Sequence, residues 1–137
     1  VTASGMKLSM MIILGLAGAE GSERHALATA KAINIIKPTH LSALCLMLYR
    51  GSELLDQYEA GKFNPLSPAG LMRELKLIIE NIDLPADRHC LFRSNHVSNY
   101  VQLAATLPHD KQRLLRDIDY SIAQLSKLKS WDVYNYN

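Results

Sequence analysis

Apolar and polar positions along this chain switch between two periods. Residues 8–14 (LSMMIIL) form an apolar run rich in Ile and Met, too short for a helix and closed by Gly15, and they predict a first strand. The loop GLAGAEG follows, with Ser22 the predicted N-cap of a helix that carries Glu23 in its first turn. Leu27, Ala30, Ile33 and Ile36 then recur at three-residue steps, flanked by Ala26 and Ala32, and Pro38 ends the segment. Residues 39–48 (THLSALCLML) have the apolar density of a buried strand. A strand, helix, strand sequence implies a parallel pair joined by a right-handed crossover.

A short helix is predicted over 52–60, closed by Gly61, and Ser67-Pro68 opens another as N-cap and first-turn proline. Its apolar set, Leu71, Met72, Leu75, Ile78, Ile79 and Ile82, is the cleanest helical stripe in the chain. Residues 89–94 (HCLFRS) predict a third strand. A last helix starts at Pro108 or Asp110 and buries Leu114, Leu115, Ile118, Ile122 and Leu125. The order is β-α-β-α-α-β-α, an α/β fold of three parallel strands with crossover helices. A doubly wound sheet or an eightfold barrel needs more strands, so the expected architecture is a partial, half TIM-type barrel over 1–128, followed by a polar and aromatic tail at 129–137.

Composition changes this picture little. With 137 residues, 48% of them hydrophobic, the chain suffices for one core. Its 15 basic and 13 acidic residues are scattered, so no basic stripe points to nucleic acid. No apolar run approaches the ~20 residues that span a bilayer. The stretch GMKLSMMIILGLAGAE has the ingredients of a secretory leader, including Ala17-Gly18-Ala19 as a small-residue site. Against that stand only two cysteines, Cys45 and Cys90, each in an apolar run where a thiol packs as a small hydrophobe, and a reducing cytoplasm is expected. The chain opens on Val1 rather than Met, as a fragment would.

In parallel α/β folds the loops leaving the C-terminal strand ends carry the ligand, which selects 15–21, 47–52 and 93–99. Glycines at 15, 18 and 21 allow close backbone approach, and the following helix start favours an anion, but the spacing is not the dinucleotide fingerprint. The third segment offers a guanidinium (Arg93), two amides (Asn95, Asn99), an imidazole (His96) and two hydroxyls (Ser94, Ser98). Either it builds a site, or its Ser and Asn side chains satisfy their own loop. No His, Asp, Glu or Cys stands at a ligand spacing from His96, so no metal ligand is assigned. His25, His40, His89 and His109 sit singly, as surface or capping residues. There is no G-x-S-x-G, CxxC, P-loop or HExxH.

Taken in order, MIILGLAG (11–18), SERHALATAKAINIIKP, HLSALCLMLYRGSELLDQYEAGKF, FRSNHVSNY and TLPHDKQRLL resemble the C-terminal part of a radical S-adenosylmethionine (radical SAM) enzyme, over roughly residues 6 to 120. The subgroup is similar to iron-sulfur oxidoreductases related to the elongator and coproporphyrinogen enzymes. The resemblance implies that Ile13 and Gly15 lie against the adenine of S-adenosylmethionine, with Met47 at the second strand's end on the same side. It implies substrate or cofactor contacts for Arg93, Asn95 and His96, the candidate catalytic residues. The motif's first glycine is Met11 here, and its acid falls at Gly18, which leaves Glu20 to stand in. The family's CxxxCxxC is absent, so the chain cannot ligate the three irons of a [4Fe-4S] cluster. Implied partners are therefore a missing N-terminal half-barrel, an unknown substrate and, through open sheet edges, a second copy. The runner-up is a nucleotide- or anion-binding module that uses 15–21 as a cradle.

Overall fold

The computed structural model describes residues 2–127; the predicted tail at 129–137 lies outside them. The elements are β1 (Ser9–Leu14), α1 (Gly18–Ile36), β2 (His40–Cys45), α2 (Glu53–Glu59), α3 (Pro68–Glu80), β3 (Cys90–Arg93), β4 (Ala104–Leu107) and α4 (Lys111–Leu125). They form an α/β structure around an open, mixed four-stranded sheet in the order β1-β2-β3-β4. The three expected strands are parallel to one another, as βαβ connections require. The fourth corrects the all-parallel expectation. AATL is only four residues long, the end of an alternation in which Val101, Leu103, Ala105 and Leu107 face the core, and it turns back antiparallel against β3. Ser94 closes the intervening loop: its Oγ accepts from the Leu103 N–H at 2.9 Å, and its own N–H donates to the Leu103 carbonyl at 2.9 Å.

Side chains alternate across the sheet. Ile12 and Leu14, Leu41, Ala43 and Cys45, Cys90 and Phe92, and Ala105 and Leu107 enter one core with α1, α3 and α4. Helix α3 is central, packing against both α1 and α4, and every member of its predicted stripe is buried. The α1 face differs from expectation. Ala26, Ala30 and Ile33 are buried at helical spacing, whereas Leu27 is 43% and Ile36 39% exposed. A strict three-residue step lags the 3.6-residue turn and drifts off the face within two turns. Helix α1 also starts at Gly18, with Ala17 giving no side-chain cap; Ser22 lies inside it. Ser52 and Ser67 do cap, accepting from Leu55 N and Gly70 N.

The opposite face of the sheet carries no helix among the described residues. In register across β1, β2 and β3 it presents Met11 beside Ser42 and Arg93, with Ile13 beside Leu44. Met11 is 72% and Ile13 41% exposed. The two sheet edges also differ. On β4, the outward N–H of Thr106 donates to Asp110 Oδ2 at 2.8 Å and the outward carbonyl of Ala104 accepts from Arg113 at 3.0 Å, so side chains of α4 and its cap blunt that edge. The β1 edge has no such cover among the described residues, so only one of the two expected open edges is open. No described helix is long and apolar enough to cross a membrane.

Candidate functional site

The three strand-end loops selected by the sequence adjoin at one end of the sheet. Leu14 and Leu46 meet where β1 and β2 end, the Leu46 N–H donating to the Leu14 carbonyl at 2.9 Å. The loop after β3 reaches the same place through Asn99, whose amide accepts from the Cys45 N–H and donates to the Ala43 carbonyl, both at 2.8 Å. β3 pairs with β2 only as far as Ser42. The Asn99 side chain therefore continues the ladder that β3 abandons.

At the β1 end, Gly15 takes φ +83° and its peptide is tightly enclosed. A Cβ there would lie 2.7 Å from Leu71 Cδ2. Its N–H donates to Glu74 Oε1 at 2.9 Å. Glu74 was not anticipated as a site residue. It falls at the helical spacing of the Leu71, Leu75 and Ile78 stripe and is 2% exposed. That spacing is the signal by which the sequence announces it. Glu20, the expected stand-in acid, instead accepts from Asn64 Nδ2 at 3.3 Å on the surface.

The runner-up anion cradle has few amides left to offer. Gly18 N–H donates to the Gly15 carbonyl at 3.0 Å and Ala19 N–H to the Asn64 carbonyl at 2.8 Å, while Phe63 closes over Gly18.

Of the six polar side chains at 93–99, five, those of Arg93, Ser94, His96, Ser98 and Asn99, bond backbone groups, so most of this cluster satisfies its own chain. Arg93, Asn95 and His96 are exposed. Arg93 extends from the helix-free face, and its guanidinium donates to the Phe92 carbonyl at 2.7 Å. His96 Nδ1 accepts from the Ser98 N–H at 3.1 Å, which leaves Nε2 as the protonated nitrogen facing outward. Met47 is partly exposed, and its sulfur accepts from the Tyr49 hydroxyl at 3.4 Å. The single-histidine expectation is corrected twice: His25 binds Glu74, and His89 stacks on His109 with centroids 5.1 Å apart.

An iron-sulfur cluster does not fit this chain's donors. Cys45 and Cys90 both point into the helix-covered core, and burial pushes both thiols up to about 11, away from the thiolate a metal needs. No group of three or more His, Cys, Asp or Glu side chains converges on a metal position among the described residues. Ile13, exposed, and Leu44, half-buried, adjoin in register on the face of the sheet away from this core. Comparison with protein-family models, curated proteins and solved structures returns no match.

Proposed function

We propose that this chain is the C-terminal part of a radical SAM barrel, inactive alone, which contributes the adenine-side strand and a polar substrate-side loop to a longer parent enzyme. The observation that carries the reading is the one-sided layering. Three parallel strands in sequential order have helices on one face only among the described residues, as a barrel wall does, and the other face carries Met11 in register with Ser42 and Arg93, and Ile13 with Leu44.

In this reading Ile13 and Leu44 pack against the adenine, with the Gly15 turn and Met47 at the rim. Arg93, Asn95 and the outward Nε2–H of His96 bind and orient substrate or cofactor polar groups. S-adenosylmethionine, when bound, supplies the radical chemistry that gives an oxidoreductase its oxidising power; this chain supplies position and exclusion of water. The cluster belongs to the missing half, because the two buried thiols here cannot hold it.

The test joins the chain to the segment that precedes it, reconstitutes the product with iron and sulfide without oxygen, and follows cluster absorbance and S-adenosylmethionine cleavage. Cleavage by the joined protein and none by the isolated chain is expected. A joined protein with no CxxxCxxC, or with no cluster absorbance and no cleavage, would sink the reading. Thermal stabilisation of the isolated chain by nucleotides alone would instead favour the anion cradle.

A further inference from the structure

Glu74 is the one charged side chain in the buried set of the described residues, and both of its carboxylate oxygens are occupied. Oε1 accepts from the Gly15 N–H at 2.9 Å and from His25 Nδ1 at 3.0 Å, and Oε2 accepts from the Ser22 hydroxyl. A carboxylate withdrawn from water is tolerated only when its lone pairs are matched by donors. Here the donors come from two places, the turn that leaves β1 and the first half of α1. A carboxylate on α3 thus joins three segments at one point.

The consequence falls on the turn. Gly15 is held in a left-handed conformation from two sides: Leu71 occupies the space a side chain would need, and one turn further along α3 Glu74 draws its amide into the helix layer. Ile13, two residues back, is on the helix-free face. None of the polar residues at 93–96 touches this node.

We infer that Glu74 is the positioning residue of the strand-end turn: by holding the Gly15 amide it sets where the apolar contact at Ile13 and the turn itself stand, without meeting a ligand. The turn's role as a ligand contact rests on the function proposed above; the mechanical role does not. Residues that lock a contact from behind govern binding geometry as strongly as those that touch the ligand.

The experiment measures amide hydrogen exchange residue by residue in the full chain, for the wild type, Glu74→Leu, Glu74→Asp and Glu74→Gln. Loss of a hydrogen bond to a charged acceptor is expected to speed Gly15 exchange roughly tenfold or more in Glu74→Leu. Amides at the centre of β2 and in the last turns of α3 should keep their protection. Glu74→Gln, which retains an acceptor of the same length, should restore slow exchange at Gly15. Glu74→Asp, charged but one methylene short, should not, and it serves equally should the leucine variant fail to fold.

Unchanged Gly15 exchange in Glu74→Asp, or acceleration spread evenly over β2 and α3, overturns the inference and leaves Glu74 a residue of general stability. Titration of S-adenosylmethionine into the joined protein separates the two proposals. Weaker binding in Glu74→Asp, rescued in Glu74→Gln, supports both. A wild type that binds no S-adenosylmethionine, with the exchange pattern intact, removes the ligand reading alone.

Discussion

Gly15, Gly18 and Gly51 all hold positive φ, yet they differ in what an added methyl group would meet. At Gly18 the obstacle is rigid: the Asn64 carbonyl lies 3.0 Å from the Cβ position. At Gly51 nothing lies within 4 Å. Gly51→Ala should therefore cost only the left-handed strain, about 1–2 kcal/mol, and Gly18→Ala measurably more, read as the shift in urea midpoint. A second residue-scale prediction concerns alkaline pH. Folding raises the Cys45 and Cys90 thiols from 9.0 to about 11, so between these values the unfolded chain releases protons that the folded chain keeps. Stability contributed by the two thiols is complete below pH 9 and is lost as pH rises toward 11. Urea midpoints for the wild type and a Cys45→Ala, Cys90→Ala variant should diverge in slope over that window, with the wild type falling more steeply.

Among the elements, α3 is the one on which the others depend, since it touches α1, α4 and β1. Ser67→Ala removes its cap and should cost about 1 kcal/mol, whereas Leu75→Ala, at 0% exposure in the core, should cost about 2–5 kcal/mol by the same denaturation measurement. Asn99→Ala strips two hydrogen bonds from the β2 backbone and should cost about 1–3 kcal/mol, more than a surface loop residue normally does. Helix α3 was legible because cap, proline and stripe agree at three levels. The start of α1 was not, because Gly18 and Ala19 find their partners in Gly15 and in Asn64, contacts made by the fold rather than by a capping side chain. β4 was legible in principle, since Val101, Leu103, Ala105 and Leu107 alternate toward the core, but it is only four residues long and its antiparallel turn depends on the loop that Ser94 ties. The site was half visible. Strand-end loops follow from topology, and helical spacing puts Glu74 on the buried face of α3, but nothing in the sequence names Gly15, Ser22 and His25 as the donors that converge on it.

At the scale of the whole molecule, the sheet has one face covered by helices and one that carries none among the described residues. Replacing Met11 by Lys should leave the stability of this chain within about 0.5 kcal/mol, read as the shift in urea midpoint, because the side chain is already 72% exposed. The blunted edge at β4 has a further consequence, for counting. A sheet that offers backbone on both sides can add copies without limit, head to tail, and so makes fibres. Among the described residues this one offers backbone on a single side, so any copies that met β1 against β1 about a twofold axis would leave nothing for a third. Sedimentation over a concentration series should stop at two. Asp110→Ala with Arg113→Ala, which uncovers Thr106 and Ala104, should let the species grow past two. Any association through the sheet edges is thus limited by two side chains at the margin of α4.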